Sequence, residues 1–227
     1  MLPYTPSIVA EHILTVLDQA AVEQGRCSLA IPGGRSPGAV LTELARICSP
    51  FVRERLHLLW VDERAVPLGH ADRNDAATLA AWEAGGPLPA HVHAMPAELD
   101  DLDAAALAYA AVLDTATAGE DLDVVLVGIG EDGHIASLFP DHAGLDELSP
   151  VFAITDSPKP PPRRLSLSLG VLRAARSKIV LALGAAKGAV LAEARRGPSR
   201  QLPVSLLGMD LVWYCDDAAT AAVRATE

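Results

Sequence analysis

The sequence predicts a single α/β domain: a mostly parallel, doubly wound sheet with helices on both faces. Three observations carry this. Short, fully apolar runs alternate with longer segments of helical periodicity, and strands apolar on both faces belong to parallel sheets covered by helices. Two of the runs end in glycine turns, Pro32-Gly33-Gly34 and Gly128-Ile129-Gly130. The chain has 227 residues, 50% of them hydrophobic, which suits one substantial core spanning residues 1–227.

Each element has its own reason. Ile8, Val9, His12, Ile13, Val16, Leu17, Ala20 and Ala21 recur at helical spacing and predict a helix over 6–24. CSLAI (27–31) is a buried strand entering a turn. Ser36-Pro37 reads as an N-cap with proline at the first helical position, opening a helix to about 47. LHLLWV (56–61) is a second buried strand, and Ala-rich helices follow over about 74–84 and 101–118. DVVLVGIG (123–130) is the third clear strand. RLSLSL (164–169) alternates like a strand, KIVLAL (178–183) is apolar throughout, 185–196 is helical, and LVWYC (211–215) closes the set. The Pro-rich stretch 157–164 reads as a loop within the domain, since too little chain follows it for a second one.

Composition narrows the function. A net charge of −11 argues against general nucleic-acid or anionic-membrane binding. No apolar run reaches the ~18 residues of a membrane span, and the first residues do not read as a secretory signal. Cys27, Cys48 and Cys215 form no CxxC pair and suggest reduced thiols in the cytoplasm. An anionic substrate would need a local positive cluster, and the only lysines are Lys159, Lys178 and Lys187.

Two motif look-alikes fail on chemistry. Gly34-Arg35-Ser36-Pro37-Gly38 fits the GxSxG nucleophile elbow, but the elbow needs the N–H of the residue after the serine, and Pro37 has none. Gly128–Gly133 fits GxGxxG, yet Glu131 and Asp132 would set two carboxylates against a pyrophosphate.

The glycine turns suit a smaller ligand. Ligands of open α/β sheets bind outside the carboxyl ends of the strands. There Gly33, Gly34, Arg35 and Ser36 offer N–H groups, a guanidinium, a hydroxyl and a helix N-terminus, which suit a phosphate; an ordinary tight turn with a capped helix has the same sequence. Asp132-Gly133-His134 follows the third strand, where Asp132 can orient the His134 ring for general-base catalysis on water. A carboxylate so near an imidazole should raise its pKa. Asp132, His134, Asp141 and His142 match no standard metal spacing.

At these residues the chain resembles bacterial 6-phosphogluconolactonases, within the larger glucosamine-6-phosphate deaminase-like group. Five segments match in order: PGGRSP (32–37), WVDERAVP with Arg73-Asn74 (60–74), VGIGEDGHIASLFP (127–140), SPKPPPRRLSLSL (157–169), and LGAAKGAVL with LPVS (183–191, 202–205). Arg73 stands where the family usually has Ser, and Ile135 where it usually has Thr. The resemblance implies a deaminase-like fold and hydrolysis of 6-phospho-D-glucono-lactone to 6-phosphogluconate, the second step of the oxidative pentose phosphate pathway. It implies His134 as general base, Asp132 as its orienter, and Arg64 steadying the oxyanion or the phosphate. The phosphate would meet Gly33, Gly34, Arg35, Ser36, Arg164 and Lys187. It implies no metal and no organic cofactor, a small phosphorylated sugar lactone as the only partner, and a monomer or small homo-oligomer. The neighbouring reading is a deaminase. Those enzymes follow the histidine block with Phe-Asn-Glu, whose carboxylate helps ring opening, where this chain has Ser137, Leu138 and Phe139. They also carry Asp-Glu-Tyr where this chain has Asp62-Glu63-Arg64. A non-catalytic sugar-phosphate sensor would need a DNA-binding module, and no basic segment of that kind is present.

Overall fold

A computed structural model describes residues 1–225, with the Arg35 side chain outside the description. In chain order the elements are β1 (Leu2–Pro3), α1 (Pro6–Gln24), β2 (Cys27–Ile31), α2 (Arg35–Ile47), α3 (Pro50–Arg53), β3 (Leu56–Trp60), β4 (Asp62–Arg64), α4 (Asn74–Glu83), β5 (His91–His93), α5 (Leu102–Thr117), β6 (Val124–Gly128), β7 (Val151–Ile154), β8 (Arg164–Leu167), α6 (Leu169–Ala174), β9 (Ser177–Ala182), α7 (Ala185–Ala194), β10 (Val212–Cys215) and α8 (Asp217–Arg224). Short 3-10 turns lie at Ala143–Asp146 and Pro203–Leu207.

Seven strands form one parallel sheet in the order β1-β10-β9-β6-β2-β3-β5. Its central strands are buried on both faces, as their unbroken apolar runs require. From β2 the chain winds outward through β3 and β5. It then returns to β6 and winds the other way through β9 and β10. Right-handed crossovers therefore put α1, α2 and α4 on one face, where they pack together, and α5, α6 and α7 on the other, with α8 against α7. The order reverses between β2 and β6, and the carboxyl ends of those strands open the crevice where such sheets bind ligands.

A second sheet, β4-β8-β7, is antiparallel. β4 follows directly on β3, so this sheet stands over the same end of the main one. The alternating run at 164–169 thus joins the small sheet as β8, not the parallel one.

Local chemistry explains the termini. Thr5 caps α1 by accepting from Ile8 N–H, with Pro6 in the first turn, and Gly25 ends it in a left-handed conformation. α2 starts earlier than Ser36-Pro37 suggested: Gly34 is its N-cap, with no side-chain cap bond, and Ser36 lies inside the first turn. Among the described residues no helix is long and apolar enough to cross a membrane.

Candidate active site

A cleft of about 470 Å³ opens at the seam between β2 and β6. Gly33, Gly34 and Ser36 line one wall, Gly128 to Glu131 another, and Arg64, His134, Lys159, Arg164 and Lys187 complete it. Of the residues singled out from sequence, all these reach one cavity; Asp132 stands behind His134, and the Arg35 side chain lies outside the described part.

The first wall is built by exclusion. A Cβ on Gly33 would fall 1.7 Å from Asn74 Oδ1, so only glycine lets the turn approach that buried amide. Asn74 in turn donates to Asp62 O at 2.9 Å and Asp62 Oδ1 at 3.2 Å. Fully buried Glu63 accepts the N–H groups of Arg64, Asn74 and Asp75 at 2.7, 2.8 and 2.9 Å, capping α4 and fixing the backbone of Arg64. Burial pushes the Glu63 carboxyl pKa up, against those three donors. Arg64 directs Nη1 to Asp72 O at 2.9 Å, and its buried Nε has no partner.

Arg73, the departure from the family pattern, does not reach the cleft. It is 2% exposed and holds Asp75 Oδ2, Glu98 Oε2, Val66 O and Met95 O at 2.8, 3.0, 3.3 and 3.0 Å. It therefore pins both ends of the 65–73 loop from below.

The reactive end joins Asp132, His134 and Lys159. Asp132 Oδ1 lies 2.5 Å from His134 Nδ1, and Asp132 Oδ2 accepts from Lys159 Nζ at 2.8 Å. A carboxylate only accepts, and Asp132 at 2.5 Å is closer to Nδ1 than the Lys159 ammonium at 3.1 Å, which has Asp132 Oδ2 as its own acceptor; Nδ1 is therefore assigned the proton and Nε2 the lone pair. Burial alone would raise the Asp132 pKa, but Lys159 and His134 hold it well below the usual carboxylate range. His134 departs from the sequence expectation: burial lowers its pKa, Lys159 adds to the lowering, and Asp132 only partly offsets both. Gly130 makes room for the pair, since a Cβ there would fall 1.9 Å from His134 Nδ1 and 2.3 Å from Asp132 Oδ1. Phe139 packs beneath the His134 ring at 4.9 Å between centroids. His142 takes no part; it faces Asp156 at 3.1 Å. Among the described residues no group of three or more His, Cys, Asp or Glu side chains forms a metal-holding cluster.

Sequence reasoning missed Lys159 as a site residue, although its rarity and its place in SPKPPP were the available signal. Arg164 lines the cleft, as expected of a site residue. It is 4% exposed, and donates to Pro161 O, Lys159 O and Pro160 O at 3.0, 3.0 and 3.2 Å, and to Ser137 Oγ at 3.4 Å. Its guanidinium thus grips the loop that carries Lys159. Lys187 occupies the first turn of α7 behind Gly184; burial lowers its pKa, and the charge of Glu131 opposes that lowering.

A doubly wound sheet with a glycine-walled, lysine-bearing cleft at its switch point defines an α/β protein with a ligand site at its strand ends, and the chain belongs to the family described as glucosamine-6-phosphate isomerases/6-phosphogluconolactonase, whose profile matches residues 6–213. Within that family it stands with the 6-phosphogluconolactonases. It is 39% identical to the 6-phosphogluconolactonase of Streptomyces coelicolor over 229 residues, covering 93% of this chain and 88% of that one. It superposes on the crystal structure of 6-phosphogluconolactonase from Thermotoga maritima with a TM-score of 0.84, at 25% identity, over 96% and 97% of the two chains. A monomeric glucosamine-6-phosphate deaminase shares the fold at a TM-score of 0.77 and 18% identity, over 98% of each chain. The fold is thus common to both activities.

Proposed function

We propose that this chain hydrolyses 6-phospho-D-glucono-lactone to 6-phosphogluconate, with His134 as general base. One observation carries the choice over deamination. Where a deaminase has a carboxylate beside its histidine, this chain has Phe139, 1% exposed and tilted 34° against the His134 ring. A ring-opening deaminase needs that acid; a lactone is an activated ester and does not.

His134 Nε2 takes a proton from water as its oxygen adds to the lactone carbonyl carbon. The carbonyl electron pair moves onto the exocyclic oxygen. Collapse of this intermediate breaks the bond to the ring oxygen, which takes the proton back from His134. Asp132 holds the productive tautomer and stabilises the imidazolium, and Lys159 holds Asp132. The phosphate sits at the Gly33-Gly34 turn and Ser36, at the free N–H groups opening α2, with Lys187 across the cleft and Arg35 as a further candidate. Arg64 supplies positive charge at the wall beside Asn74. We assign Arg164 to holding the Lys159 loop in place of the phosphate contact suggested by sequence, because Nε and Nη2 already donate to three main-chain carbonyls and Nη1 to Ser137 Oγ. The three cysteines are free and buried, which suits a reducing cytoplasm.

The test offers fresh 6-phosphogluconolactone and glucosamine 6-phosphate separately, following 6-phosphogluconate and ammonia. Lactone opening well above its spontaneous rate, with no ammonia, is expected. Ammonia release that matches or exceeds lactone hydrolysis overturns the reading.

A further inference from the structure

We infer that the main-chain N–H of Ala136 is the oxyanion donor of this cleft. The inference rests on the hydrolytic reading above and adds a group to it. From Gly133 to Leu138 every N–H but one has an acceptor. Gly133 donates to Gly130 O at 3.1 Å, His134 to Asp132 Oδ1 at 3.4 Å, Ile135 to Leu138 O at 3.4 Å, Ser137 to Ser166 Oγ at 3.3 Å, and Leu138 to Ile135 O at 2.8 Å. The Ala136 N–H has none among the described residues.

Ala136 is also where the backbone is strained. Its φ is 48°, a left-handed conformation that a residue with a Cβ adopts only under strain. The surrounding bonds enforce it: the Ile135–Leu138 pair closes the turn, and buried Ser137 is tied by its hydroxyl to Asp62 at 2.7 Å. The residue so held lines the same cleft as His134, two positions along the chain. A fixed, unpaired N–H beside a general base meets the requirement for stabilising charge that develops on a carbonyl oxygen as water adds. It is in place before the reaction and needs no reorganisation. When the carbonyl electron pair moves onto the exocyclic oxygen, the Ala136 N–H donates to it. When the ring oxygen leaves, the carbonyl re-forms and the bond weakens.

The experiment removes that one hydrogen. Replacing Ala136 by lactic acid through nonsense suppression turns the Ile135–Ala136 amide into an ester and deletes the N–H. A parallel ester at Leu138 deletes the donor of the turn bond to Ile135 O and leaves the Ala136 N–H intact. The Ala136 ester should lose about 10²–10³-fold in kcat after subtraction of spontaneous hydrolysis, the usual effect of one oxyanion donor, with KM little changed. It should unfold no more easily than the Leu138 ester, which should keep kcat within a few-fold of wild type. A full-speed Ala136 ester overturns the proposal, as do equal losses in kcat for the two esters or a selective loss of stability in the first. Failure of the wild-type protein to open the lactone at all would instead remove the hydrolytic reading.

Discussion

Replacing Lys159 with Met tests how the charges around His134 are balanced. The ammonium lies 3.1 Å from His134 Nδ1, and its side chain is 43% exposed. Two unit charges 3.1 Å apart repel by about 1.3 kcal/mol at the dielectric of water and about 2.7 kcal/mol at an effective value near 40. With exposure and salt favouring the lower figure, deletion of Lys159 should raise the His134 pKa by about one unit. Release of Asp132 from its lysine acts in the same direction, because the freed carboxylate then favours the imidazolium more strongly. A general base works only when unprotonated, so wild-type kcat/KM should decline below about pH 6.5, the unperturbed histidine value, since His134 sits lower than that. In Lys159→Met the same decline should begin about one pH unit higher, and Lys159→Arg should restore it. Initial rates across pH 5–8, corrected for spontaneous opening, give the answer. An acid limb that stays put while KM for the phosphorylated lactone rises would show that Lys159 serves the phosphate and not the base. A limb that moves down would refute the electrostatic reasoning.

Other changes separate binding, stability and charge. Lys187→Ala should raise KM for the phosphorylated lactone and affect unphosphorylated gluconolactone much less; equal losses on both would assign Lys187 to the fold or the chemistry. Arg73→Leu leaves Asp75 and Glu98 without their buried partner, and should cost about 3–5 kcal/mol in urea unfolding, with a loss below 1 kcal/mol contradicting the clamp. His57 has its pKa pushed down to about 4 by burial, with His91, His93 and Arg26 adding to it. The folded state therefore resists a proton that the unfolded chain accepts near 6.5, so stability present above that pH is lost as pH falls toward 4. His57→Gln should flatten that decline in urea midpoints between pH 7 and 5, and an unchanged slope would exclude His57 as its source.

Period and apolarity made the parallel sheet legible, because β2, β3, β6 and β9 are buried on both faces and read as continuous runs. The small sheet was harder to read. Asp62–Arg64 and Val151–Ile154 are short, and the pattern of 164–167 does not say which partners it will find. His91–His93 is a polar edge strand of three residues, too short for its alternation to betray it. Gly34 displaced Ser36 as the cap of α2 because the close approach to Asn74 fixes the turn, a long-range constraint that local cap preference does not contain. In the site, Asp132 and His134 were readable since they are neighbours in sequence. Lys159 reaches them from 25 residues away. The three carbonyls around Arg164 belong to a loop whose path nothing in its sequence states.

The seam between β2 and β6 also sets a timetable for the nascent chain. Its far end is clasped by Ser28 and Asp123, 95 residues apart: the Ser28 N–H and hydroxyl both reach Asp123 Oδ2 at 2.9 Å, and Asp123 N–H returns to Ser28 Oγ at 2.9 Å. The glycine wall at residues 33–36 leaves the ribosome long before the strand that must face it, and before Lys159 and Lys187. Until β6 docks, β2 presents one flank of buried-type backbone with no partner, an edge that invites pairing with other chains. Weakening the clasp, as in Asp123→Ala, should therefore reduce the yield of soluble protein during synthesis more than it reduces the specific activity of the molecules that complete the fold.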